Sequence, residues 1–239
     1  MSTVQVAILA AGMGTRLKRP VPKPLTPLDD GRTIMQQQVD NIRAVFGDAA
    51  KLIIVVGFKH DMIMEAQPDA LFAYNEDYDQ TNTSKSLLKA LRGSTDGPLI
   101  WMNGDVVFDA EVLRRLCPAL DQGRSAIAVN TAATAEEEVK YTVDANGFVD
   151  ALSKQVRDAR GEAVGINLVA AADKAALVTR LAQCDDQDYF ERGIELAIEH
   201  DGLQVTPVDI SDLFAVEVDF AEDLARAIEE RRRYDARDH

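Results

Sequence analysis

Residues 4–25 read VQVAILA followed by AGMGTRLKRPVPKPL. The first seven form a near-continuous apolar run, the pattern of a strand buried on both faces in a parallel sheet. The rest is a loop rich in Gly, Pro and cations. A glycine-rich turn at the carboxyl edge of a first buried strand is the ligand position of an open α/β sheet.

Outward from this stretch the same texture repeats. KLIIVVGF (51–58), ALFAYN (70–75), PLIWMNGD (98–105) and SAIAVN (125–130) read as buried strands. Helical patterns fall at 33–46, 61–66, 84–93 and 110–120, with Gly93 as a C-cap and Ile34, Val39, Ile42, Val45 and Phe46 on one face of the first. This alternation predicts a right-handed, mostly parallel sheet with helices on both faces. After residue 130 the pattern changes. Residues 137–154 predict two strands around Ala145-Asn146-Gly147, a hairpin signal, and 163–170 another buried strand. Helices at 171–183 and 188–199, strands at 203–210 and 213–219, and an amphipathic helix over 219–233 follow, with a frayed tail from 234. The expected fold is α/β, a Rossmann-like mixed but mostly parallel sheet with a small β-rich portion, in one continuous domain.

The composition narrows the function. The chain has 239 residues, enough for a sizeable core without staples. It carries 40 acidic and 26 basic residues, a net charge of −14. So acidic a surface argues against nucleic acid, which needs a basic face, and against anionic membrane. Cys117 and Cys184 alone give no disulfide framework and no zinc spacing, and His60, His200 and His239 are scattered. The first apolar run lacks a basic leader and is too short to span a bilayer, so a reduced, cytoplasmic compartment is expected. The charge is uneven. Residues 1–60 hold eight basic and four acidic residues, +4, leaving −18 for the remainder, and no acid precedes Asp29. A basic corner on an acidic protein points to a local site for a small anion.

In the loop itself, Gly12 and Gly14 allow close backbone approach, so that amides can face phosphate oxygens. Thr15 adds a hydroxyl, and Arg16, Lys18, Arg19 and Lys23 place four cations within eight residues. GxxxxGK[ST] is absent, so this is no Walker A loop. GMGTRL lacks the third glycine of the dinucleotide fingerprint, which disfavours a Rossmann-type oxidoreductase.

The run LAAGMGTRL…PKPLTPL resembles the signature of the sugar-nucleotidyltransferase superfamily, the GT-A-like NTP transferases. Three further segments extend the resemblance in family order. NEDYDQTNTSKSL (75–87) resembles the second nucleotide-contacting segment, and its N…Y…N…SL arrangement is closest to the cytidylyltransferase branch that acts on phosphocholine, inositol phosphate or phosphonates. NGDVVFD (103–109) resembles the metal-binding Gly-Asp strand end, and VEVDFAEDLARA (216–227) the late segment that supplies a second metal ligand.

The resemblance implies transfer of a nucleoside monophosphate, most readily CMP from CTP, to a small phosphorylated acceptor, with loss of pyrophosphate. It implies a nucleotide-binding half over 1–130 and an acceptor half over 131–239. Mg²⁺ would sit on Asp105 and Asp219, with Asp219 capping the following helix as the structural alternative. Arg16 would hold the leaving phosphates and Lys23 would neutralise the α-phosphate; with Asp105 these are the expected catalytic residues. Leu9, Ala10, Ala11, Gly12, Gly14, Thr15 and Gly104 would line the nucleotide. Asn75, Thr81, Asn82 and Ser86 could read base and ribose, while Asn82, Thr83 or Ser84 could cap the 84–93 helix, and both roles can coexist. Lys140, Lys154, Tyr189 and Glu191 are expected beside the acceptor. A quaternary ammonium would want an aromatic cage, yet YFERGIELAI (189–198) stands where phosphocholine enzymes carry a Trp-rich segment, which puts choline in doubt. A sugar-1-phosphate nucleotidyltransferase using UTP, dTTP or GTP, and a nucleotide-sensing module without turnover, are the alternatives. The oligomeric state, a homo-oligomer included, is left open.

Overall fold

The structure, a computed structural model, describes residues 4–17, 20–48, 50–132, 134 and 138–235, without the side chains of Thr15 and Asp235. Lys18 and Arg19 therefore lie outside the described residues.

The chain opens with β1 (Gln5–Ala10), crosses the Gly-rich loop through single 3-10 turns at Thr15–Leu17 and Lys23–Leu25, and enters α1 (Ile34–Phe46). A capping box starts this helix: the Thr33 hydroxyl accepts from the Gln36 amide, and the Gln36 side chain accepts from the Thr33 amide. Then come β2 (Lys51–Val56), α2 (His60–Ala66), β3 (Leu71–Tyr74), α3 (Thr83–Gly93) and β4 (Leu99–Asn103). A Gly104-Asp105 turn leads to β5 (Val106–Phe108), α4 (Ala110–Asp121) and β6 (Ser125–Asn130). The hairpin β7 (Lys140–Val143) and β8 (Val149–Ser153) precedes β9 (Gly161–Val169). The chain ends with α5 (Lys174–Gln183), α6 (Phe190–Asp201), β10 (Val205–Asp209), β11 (Ala215–Glu217) and α7 (Ala221–Asp235).

The main sheet runs β10-β6-β9-β4-β1-β2-β3, with the β7–β8 hairpin attached to β9. β1, β2, β3 and β4 are parallel, as are β6 and β10, while β9 lies antiparallel between β4 and β6. The expected mixed, mostly parallel α/β sheet is thus present. Period-two alternation divides its side chains between two cores. Ala7, Leu9, Val55, Leu99 and Trp101 face α3, α5 and α6 through Leu87, Leu91, Leu177, Leu181 and Phe190. Val6, Ile8, Ile54, Ile100 and Met102 face α1 and α4 through Met35, Val39, Ile42, Val112 and Leu116.

Three expectations need correction. The strand expected at 98–105 is β4 and stops at Asn103; a further strand, β5, which the pattern does not predict, follows the turn and leaves the main sheet to pair antiparallel with β11. Gly93 is the last residue of α3 and not its cap; the Ser94 amide and hydroxyl both donate to the Leu91 carbonyl, which closes the helix without a left-handed residue. Fraying is expected from 234, yet α7 runs through Tyr234 to Asp235; of that tail, 236–239 lie outside the described residues.

Candidate active site

The strands β1 and β4 run parallel and end side by side, which brings the Gly-rich loop against the Gly104-Asp105 turn. The Gly104 amide donates to the Leu9 carbonyl at 2.9 Å, and a Cβ on Gly104 would stand 2.8 Å from that same oxygen. Only glycine permits this approach. Gly14 takes φ +58°, where a side chain is strained, and a Cβ there would sit 3.1 Å from the Lys23 Cβ. The loop therefore folds back so that Lys23 enters the cleft.

There the Lys23 Nζ lies 2.7 Å from Asp105 Oδ2 and 2.6 Å from Asp219 Oδ1, and Arg16 donates to the other oxygen of Asp219 at 2.8 Å. Burial works against the Lys23 ammonium, but Asp105 and Asp219 outweigh it and raise its pKa above the ordinary value. Burial likewise opposes ionisation of Asp219, and Lys23 and Arg16 prevail, holding its carboxyl below the usual range. The capping alternative for Asp219 is resolved by Asp223, whose carboxylate accepts from the Asp219 and Phe220 amides and so serves the start of α7. The Asp219 side chain is left for the cleft.

A third carboxylate joins them. Ligand oxygens of Asp105, Glu217 and Asp219 all lie within 4.8 Å of one another. The nearby Asp105 charge, then burial, pushes the Glu217 carboxyl well above its ordinary value. Asp105 Oδ1 is buried without a hydrogen-bond partner among the described residues. Hard oxygen donors in this number, one with an unused lone pair, fit Mg²⁺.

The cleft has a volume of about 620 Å³. Of the residues expected to bind nucleotide, metal or acceptor, Leu9, Ala10, Gly12, Gly14, Arg16, Lys23, Gly104, Asp105, Lys154, Tyr189, Glu191 and Asp219 line it. Ala11, Asn75, Thr81, Asn82, Ser86 and Lys140 do not. Asn75 is buried and donates to the hydroxyls of Thr81 and Ser86, tying the 75–82 loop to α3. Asn82 accepts from the Thr83 amide and so takes its capping role. The Lys140 ammonium donates to the Lys154 carbonyl. Thr15 has no described side chain.

Sequence reading missed Glu217, Glu138, Asn103 and Thr83, which also line the cleft. Glu217 carried a usable signal: it stands two residues before Asp219 in an extended run, and that spacing puts both on one face. Glu138 follows residues outside the described set and had no such signal.

A sheet of this order, with a glycine-rich loop and an acidic cluster at its carboxyl strand ends, is the nucleotidyltransferase fold. The chain belongs within that class to the MobA-like NTP transferase family, whose domain matches residues 6–188. It is 30% identical over 212 residues to the bifunctional protein GlmU of Burkholderia orbicola (strain MC0-3), covering 82% of this chain and 45% of the relative. It is 28% identical over 237 residues to the CMP-5'-(3-aminopropyl)phosphonate synthase of Streptomyces rubellomurinus, covering 90% and 37%. The chain thus spans less than half the length of these curated relatives. The inositol-1-phosphate CTP transferase from T. maritima shares the fold, with a TM-score of 0.77 at 16% identity over 96% of this chain and 98% of that one. Among the described residues no helix is long and apolar enough to cross a membrane.

Proposed function

We propose that the protein is a nucleotidyltransferase that moves CMP from CTP to a small phosphorylated or phosphonate acceptor and releases pyrophosphate. The observation that carries this is the Lys23 ammonium, set between Asp105 and Asp219 beside Arg16 at the mouth of a glycine-rich loop. The choice of cytidine rests on the 75–87 segment and on the names of two relatives, the phosphonate synthase and the CTP transferase.

An acceptor oxygen attacks the α-phosphorus, the bond from that phosphorus to the bridging oxygen breaks, and the electron pair leaves on pyrophosphate. No covalent enzyme intermediate is required, so positioning and charge neutralisation are the protein's tasks. Lys23 turns from the carboxylates to the α-phosphate as negative charge grows there. Arg16, the most exposed of the four, swings from Asp219 to the leaving phosphates. Gly12 and Gly14 present backbone close to the nucleotide. Asp105 and Asp219, with Glu217 beside them, would hold Mg²⁺, which when bound offsets polyphosphate charge. In this reading residues 1–130 bind nucleotide, and 131–239 supply Lys154, Tyr189 and Glu191 for the acceptor and Asp219 for the metal.

The test is pyrophosphate release with CTP, UTP, dTTP, GTP and ATP, each with Mg²⁺ and a panel of phosphate and phosphonate acceptors. CTP should exceed the others by about tenfold or more, and chelation should stop release until Mg²⁺ is restored. A clear preference for UTP, dTTP or GTP overturns the cytidine assignment. Tight NTP binding with no pyrophosphate from any acceptor overturns transfer and leaves a sensing module.

A further inference from the structure

Glu191, the second residue of α6, lines the same cleft as Lys23. Its residue exposure is 7%, and its Oε2 meets no hydrogen-bond partner among the described residues. The position is rigid. Phe190 lies in the core with its ring edge-on to Trp101 at 5.7 Å, and its amide donates to the Thr83 hydroxyl at 3.0 Å. With Phe190 anchored, Tyr189 and Glu191 on either side both line the cleft. A buried carboxylate with one oxygen unpartnered is unfavourable, and burial outweighs a backbone hydrogen bond and the charge of Lys154 to push the Glu191 carboxyl up to about 7. Such a group persists where a ligand completes it.

Resting on the transferase reading of this cleft, we propose that the acceptor is a zwitterion, an aminoalkyl phosphate or phosphonate whose primary ammonium pairs with Glu191. Its anionic end lies toward Lys154 and the Lys23 side of the cleft. An ammonium supplies the missing N–H donor to Oε2 and adds a positive charge to that of Lys154, and a carboxylate–ammonium pair gains most where water is excluded. A quaternary ammonium has no N–H to give. It would also need aromatic faces, and the Tyr189 ring already faces the Lys154 Nζ at 5.4 Å from its centroid, while Phe190 is spent in the core. A polyol phosphate could offer Glu191 hydroxyl hydrogen bonds but no charge.

The experiment compares kcat/KM for 2-aminoethylphosphonate and for 2-hydroxyethylphosphonate, its near-isostere without charge, using CTP, Mg²⁺ and the full chain, in wild type and in Glu191→Gln. Phosphocholine and inositol-1-phosphate serve as further acceptors. The wild type should favour the amine over the hydroxyl analogue by about 10²-fold or more, and Glu191→Gln should collapse that ratio toward one. A damaged fold would lower both rates and keep the ratio, so a ratio unchanged in Glu191→Gln overturns the assignment. Equal or better use of the hydroxyl analogue, phosphocholine or inositol-1-phosphate by the wild type also overturns it, while cytidylyl transfer itself stands. Pyrophosphate release with none of the acceptors counts against the transferase reading as a whole.

Discussion

Lys23 is the residue on which the site's electrostatics turn. Among the described residues it is the one cation that touches both Asp105 and Asp219, and its side chain is 11% exposed. Replacing it by Met keeps the stem and removes the charge, which leaves Asp105, Glu217 and Asp219 crowded with Arg16 alone, among the described residues, to answer them. Turnover should fall by about 10²–10³-fold through lost neutralisation of the α-phosphate, read by pyrophosphate release. Stability should fall as well, with a definite pH dependence. The raised pKa of Lys23 makes its contribution present below its unfolded value of 10.5 and lost as pH rises through the folded one. The lowered pKa of Asp219 makes its contribution present above 3.8 and lost as pH falls through its folded value. Urea unfolding should therefore show a gap between wild type and Lys23→Met that is full near neutrality and closes below pH 3.8. A gap unchanged in acid would mean that the carboxylates are not its source. Asp105→Asn should nearly abolish turnover at an almost unchanged unfolding midpoint, and near-wild-type activity would remove Asp105 from the reaction. These residues were legible because each lies in a short segment of fixed chemistry. Glu217 was legible only through its spacing from Asp219, and Glu138 was not, because one carboxylate among 40 acidic residues announces itself only once the chain has brought it to a cleft.

Among elements, α7 couples stability to the site. Its amphipathic face places Leu224 and Ala227 against Leu28, Ile34, Val107 and Val216, which closes a third small core over the β5–β11 pair. Its far end is fastened by Arg231, 7% exposed, whose guanidinium donates to Asp29 and Asp30, with Arg232 also on Asp29 at 2.6 Å. Asp219 precedes this helix by two residues, and Asp223 of the helix holds the Asp219 amide. Loosening α7 should therefore move Asp219. Arg231→Met should cost about 1–3 kcal/mol, speed hydrogen exchange along 221–235 and lower turnover; exchange unchanged in α7 would break the coupling. Acid should act similarly. Burial opposes ionisation of Asp30, but Arg32 and Arg231 override it and bring its pKa down to about 2, so its contribution is present above 3.8 and lost as pH falls from there. Exchange in α7 should rise in that window ahead of the sheet. The helix itself was readable from its periodicity. The β5–β11 pair beneath it was not, since three-residue strands carry little pattern and their partners lie about a hundred residues apart.

Across the whole molecule, the strand order decides whether the two halves are separable. Alternation along 1–130 reads as a self-sufficient nucleotide-binding unit, and every strand expected there forms near its place, with β5 in addition. What alternation along the chain does not encode is who pairs with whom, because register between distant strands is a tertiary property. β9, from the second half, lies between β4 and β6 of the first, with Met102 opposite Ile166 and Ala126 opposite Leu168. Without it, β4 loses a neighbour on one side and β6 has no contact with the rest of the sheet. Trp101 would be uncovered as well, since Phe190 of α6 packs on its ring. A fragment of residues 1–130 should therefore lack a cooperative thermal transition and a fixed near-ultraviolet signature, whereas 1–239 should unfold in one step with coincident transitions by both probes. Adding the 131–239 fragment in trans should restore both, because the missing strand slot then has its occupant. A cooperative transition in 1–130 alone would mean that β4 and β6 find another arrangement, and the cleft between the halves would then be an interface between two domains.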